Sequence, residues 1–65
     1  MKDATQPKTT RDSILDATDR LLARYGYKKM TIDDLAREVG IGKGSIYLHF
    51  SSKEEIALSH IDRMI

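Results

Sequence analysis

An all-α fold, a small helical bundle built on a helix-turn-helix, is predicted by three features of the sequence. Apolar residues recur at helical spacing in four stretches, the sole proline is Pro7, and glycines stand where helices would stop. A chain of 65 residues makes one small domain with little room for a cavity.

Residues 1–10 (MKDATQPKTT) are polar, contain Pro7 and show no periodicity, which predicts a flexible N-terminal arm ahead of a helical domain spanning 11–65. From Arg11 the pattern changes. Ile14, Ala17 or Thr18, Leu21 with Leu22, and Tyr25 fall on one helical face, Asp12 suits the first turn, and Gly26 is the stop.

Tyr27 and Met30 flank the two lysines of the next loop, and Thr31 is the expected N-cap of a second helix. Asp33 and Asp34 stand where the helix dipole favours negative charge. Ile32, Leu35, Ala36 and Val39 form its apolar face, and Gly40 ends it. Ile41 and Gly42 complete a short turn, after which Lys43 to His49 can form a third helix. At about 100° per residue, Ile46 and Phe50 point inward while Gly44, Ser45, Tyr47 and Leu48 share the opposite arc.

Ser51 and Ser52 each precede a glutamate by three residues, Glu54 and Glu55, so a capping box opens a fourth helix whichever serine is the cap. Ile56, Ala57, His60, Ile61 and Met64 make its stripe. It reaches Ile65 with no stop signal, so the domain is expected to be cut within helix 4 as the first part of a longer parent; a complete 65-residue product is the alternative.

The net charge of +1 says little about a polyanion partner, so placement has to carry that argument. Between Gly40 and Lys53 lie two lysines and a histidine with no acid. The absence of cysteine excludes a disulfide framework and a thiolate metal site and fits a reducing compartment. No apolar run is long enough to span a bilayer and no secretory signal is present, so no membrane role and a cytoplasmic location are expected.

The glycine-rich stretch Gly40–Gly44 invites a nucleotide-binding reading, which its spacing does not support. A P-loop would need glycine where Arg37 stands and serine or threonine where Gly44 stands. A dinucleotide fingerprint would need a preceding strand, whereas a helical period precedes Gly40. Helix, glycine turn and helix instead give the order of a DNA-binding helix-turn-helix, with Gly40 free to turn sharply and Ala36 small at the crossing.

The run Ile14 to Ile56, ILDATDRLLARYGYKKMTIDDLAREVGIGKGSIYLHFSSKEEI, resembles the N-terminal DNA-binding domain of the TetR (tetracycline repressor) family. The residues that carry the likeness are Gly26-Tyr27, Thr31, Leu35-Ala36 with Gly40, Lys43 to Tyr47, His49-Phe50 and Lys53-Glu54. The resemblance implies a homeodomain-like three-helix core plus the start of a fourth helix. It also implies that the third helix enters the major groove, with Lys43, Gly44, Ser45, Tyr47 and Leu48 nearest the bases and Thr31, Gly42, His49 and Lys53 on the phosphates.

Gly42 departs from the serine or threonine common in the family at that position, which removes a side-chain cap and a phosphate donor. Leu48, where the family is often polar or aromatic, would make an apolar contact such as one with a thymine methyl. For Lys43 and Tyr47 the rival reading is a solvated helix face; Tyr27 and Phe50 are expected in the core, and His60 is expected to be structural. Arg11, or an arm carrying Lys2 and Lys8, could reach a minor groove, against the plainer account of a disordered tail.

The function this implies is a sequence-specific transcriptional regulator, a repressor in most of the family. It would bind double-stranded DNA at a palindromic operator as a homodimer in the full-length parent. A small-molecule effector would act only through a C-terminal domain absent here. The alternative is a small helical protein-interaction module. No enzyme is expected, since no nucleophile with base, paired carboxylates or metal cluster converge, and no cofactor is expected.

Overall fold

The computed structural model describes residues 8–65. Its helices are α1 (Thr10–Tyr25), α2 (Ile32–Val39), α3 (Lys43–His49) and α4 (Lys53–Met64). α1 packs against both α2 and α4, and α2 carries α3. Most of the expected arm lies outside the described residues, but its last residues do not. Thr9 caps α1, its hydroxyl oxygen accepting the Asp12 amide at 3.0 Å, and Thr10 is already helical, one residue ahead of the expected start.

Serving two partner helices gives α1 a wide buried arc, in which Leu15 joins the expected Ile14, Ala17, Thr18 and Leu21. The buried Thr18 hydroxyl is satisfied by donating to the Ile14 carbonyl at 2.8 Å. Two expected apolar positions lie outside the core. Tyr25, at the end of α1, is 47% exposed, and Tyr27 is 38% exposed because Met30 fills the interior place in that loop. Met30 is better suited to it, since a flexible thioether adapts to the irregular gap beside a loop and carries no hydroxyl that needs a partner.

Gly40 adopts the left-handed conformation at φ 87°, and its N–H and that of Ile41 both donate to the Ala36 carbonyl, at 2.8 and 3.0 Å. That turn directs α3 back across α2, so that Ile46 and Phe50 join Leu35 and Ile56 in the core. At the start of α4 both serines are used, in different ways. Ser52 is the cap, accepting the Glu55 amide at 3.1 Å, while the Glu55 carboxylate accepts the Ser51 amide at 2.8 Å.

On α4, Ile56 and His60 are buried, whereas Ile61 and Met64 of the expected stripe are exposed. His60 faces Asp19 of α1 at 3.8 Å, and Arg63 reaches Asp16 at 2.9 Å. Asp16 is also paired to Lys8 at 2.6 Å, and Lys8 followed by Arg63 holds its carboxyl below the usual range.

Candidate nucleic-acid interface

α3 is a short helix with a buried side and a presented side. Ile46 is fully buried, while Tyr47 is 51% and Leu48 83% exposed; Gly44 and His49 also face solvent and Ser45 is half-buried. A leucine so open to water on an ordered helix gives up burial worth about 1.5–3 kcal/mol, and nothing in the domain recovers it. A methyl group built on Gly44 would meet nothing within 4 Å. The fold therefore does not require glycine at this helical position, where glycine costs up to about 1 kcal/mol relative to alanine.

Gly42 caps α3 through its backbone alone, with no side-chain bond. Its carbonyl accepts the Ser45 N–H at 3.1 Å. Lys43 extends from the first turn of α3 to Asp33 of α2, 3.3 Å away, which brings the N-terminal ends of the two helices together. Thr31 caps α2 by accepting the Asp34 amide at 3.0 Å. Thr31 first, and Arg37 after it, hold the Asp34 carboxyl below its ordinary value. The amides of Ile32 and Asp33, in the first turn, lack intrahelical acceptors.

Thr31, Gly42, Lys43 and Gly44 are thus gathered at adjoining helix ends, with Tyr47, Leu48 and His49 continuing along the outer side of α3. Lys53 is placed differently. Its ammonium donates to the carbonyls of Tyr27 and Met30, both at 2.9 Å, and lies 4.3 Å from the centre of the Tyr27 ring. The Tyr27 phenol is pushed up by partial desolvation and by the neighbouring Glu54 charge. The side chain expected on a phosphate is engaged within the domain.

Around this face, three of the relationships that escaped the sequence are the Lys43–Asp33 pair, the Lys53–Tyr27 contact, and Arg11 placed 5.3 Å over the Phe50 ring. Each joins residues on different elements, and periodicity carries no signal for them. Between α1 and α2 a recess of about 200 Å³ is lined by Leu21, Arg24, Tyr25, Asp34, Arg37 and Glu38. No cluster of three or more histidine, aspartate or glutamate side chains suited to a metal occurs among the described residues. No helix among them is long and apolar enough to cross a membrane.

Residues 14–59 match the model of the bacterial regulatory proteins, tetR family. An HTH-type transcriptional regulator in the lacX 3'region of Lactococcus lactis subsp. lactis is 38% identical over 58 residues, 89% of this chain and 30% of that protein. The Staphylococcus epidermidis biofilm operon icaADBC HTH-type negative transcriptional regulator IcaR is 41% identical over 46 residues, 71% of this chain and 25% of that protein. A chain in the crystal structure of superantigen pfit superposes with a TM-score of 0.73 at 42% identity, over 80% of this chain and 26% of that one. The chain spans less than half the length of the curated relatives it matches. With the family model covering the helix-turn-helix and the helices on either side of it, the chain belongs to the tetR family of bacterial regulatory proteins.

Proposed function

We propose that this chain is the DNA-binding module of a transcriptional regulator, with α3 as the helix that enters the major groove. The observation that carries the reading is the outer face of α3. It combines an open Gly44, an exposed Leu48 and Tyr47, and a lysine, on a helix fixed from behind by Ile46 and Phe50. Gly44 allows close approach of the backbone, Lys43 and Ser45 offer donors to base edges, and Tyr47 and Leu48 offer apolar contact to thymine methyls. Thr31, Gly42 and His49 flank that face and hold the phosphates, through main-chain amides at the two helix ends and the imidazole at the third site.

In a longer parent the module acts twice, as a two-fold dimer on a palindromic operator, with a further helical domain supplying the dimer contact and the effector site. Repression follows from occupying the operator, no chemical step is involved, and the DNA target puts the protein in the cytoplasm. Fluorescence anisotropy against a pool of short duplexes, at low and moderate salt, tests the reading. Binding that weakens steeply with salt is expected. Salt-insensitive docking on a protein partner with no duplex affinity would favour an interaction module instead.

A further inference from the structure

Lys53 reaches 23 and 26 residues back along the chain, to the carbonyls of Met30 and Tyr27. Those carbonyls belong to the loop that enters α2, and Lys53 is the first residue of α4, directly after the link that leaves α3. One side chain therefore bridges the entry and the exit of the helix-turn-helix. The bridge has three parts: two charge-assisted hydrogen bonds of 2.9 Å and the face of the Tyr27 ring at 4.3 Å. Moving the ammonium out to a phosphate would give up all three.

We propose that Lys53 is a positioning residue that clasps the two ends of the helix-turn-helix, and that its charge is not spent on DNA phosphate. With the clasp closed, Thr31 at the head of α2 and the outer face of α3 are held in one arrangement before a duplex arrives. With it open, the loop must be ordered at the moment of binding, which lowers affinity without removing a phosphate contact. The consequence at DNA rests on the DNA-binding reading above; the clasp itself is a property of the free chain.

The test compares Lys53→Met, which keeps the stem and loses the donors, with Lys53→Arg, which keeps donors. In the free chain the readout is hydrogen exchange of the Met30 amide, which donates to the Gly26 and Tyr27 carbonyls at 3.2 and 3.3 Å. Exchange at least about tenfold faster in K53M and near wild type in K53R is expected, since losing even one such tie is of that scale. Binding is read by anisotropy on a labelled duplex of about two helical turns selected from a random pool, well below the thermal midpoint. K53M should bind about fivefold to tenfold more weakly, with the slope of log affinity against log salt unchanged.

Leu21→Val, a core change of comparable destabilisation away from the clasp, should leave affinity unchanged under the same conditions. Tyr27→Leu leaves both carbonyls in place and should weaken binding about twofold to fivefold, which keeps the proposal testable if K53M does not fold. A salt slope lowered by about 0.9 in K53M, with Met30 exchange unaltered, would overturn the clasp in favour of a phosphate contact. Faster Met30 exchange in K53M alongside a wild-type chain that binds no duplex would uphold the clasp and remove the DNA-binding reading.

Discussion

Lys43 Nζ lies 3.3 Å from Asp33 Oδ1, so the one lysine on the outer side of α3 is partly neutralised by an acid at the head of α2. Both side chains are more than half exposed, and a pair of that kind contributes about 0.5 kcal/mol or less to stability. Its larger effect is on the field that a duplex meets. Asp33→Asn is expected to strengthen duplex binding several-fold at low salt, with stability lowered by no more than about 1 kcal/mol. Lys43→Ala is expected to weaken binding at every salt concentration, because it removes a cationic donor from the face that meets the base edges. Anisotropy across a salt series reads both, and weaker binding by Asp33→Asn would contradict the account.

Gly44 separates a demand of the fold from a demand of the partner. Because a methyl group there meets no atom within 4 Å, Gly44→Ala should raise thermal stability by up to about 1 kcal/mol. The same methyl stands on the face that approaches DNA, so duplex affinity should fall at least about tenfold, the scale of one lost close contact at the groove. Paired melting and binding curves test this. A stabilised variant with undiminished affinity would show that Gly44 does not face the duplex.

Gly40→Ala isolates backbone strain. The added methyl group would meet nothing within 4 Å, but φ is 87°, a conformation that costs an L-residue about 1–2 kcal/mol. Chemical denaturation should show a loss of that size. No loss would mean that the turn between α2 and α3 can form without a left-handed residue.

Acid should loosen the helix starts before the core. Ser51, through its hydroxyl first and its amide second, holds the Glu55 carboxyl below its ordinary value, and Thr31 does the same for Asp34. A depressed folded-state pKa means that the unfolded chain takes up the proton first as pH falls. The stabilisation is therefore complete above the unfolded carboxylate values near 4 and is lost as pH falls through the lower folded values. Thermal midpoints measured from pH 7 down to about 3 should be flat and then decline below about 4 to 4.5. Glu55→Gln should lower the neutral plateau and make the decline shallower.

What the sequence made legible was short in range. Leu35, Ala36, Gly40, Ile46 and Phe50 are spaced by the helical period and one glycine stop, and their places in the core or the turn follow from that spacing alone. Thr31 was legible for the same reason, since a cap and the amide it accepts lie three residues apart, and the same spacing narrowed the cap of α4 to Ser51 or Ser52. Local rules put Tyr27 in the core, whereas Met30 holds that interior place, because the choice depends on how α1 and α2 meet around the loop. The site divides along the same line. The outward arc of α3 could be read from angle, whereas the engagement of Lys53 with a loop 23 residues away could not, and it changes what that lysine is available to do.

In the proposed function a duplex docks on the outer side of α3 and the adjoining head of α2. Nitrogen-proton correlation spectra of the labelled chain, titrated with a short selected duplex, address it most directly. Shifts are expected to concentrate at Thr31 to Asp33 and from Gly42 to His49, while Leu58 to Ile65 stay in place. Shifts centred on the exposed end of α4, or none on α3 at saturating duplex, would contradict it.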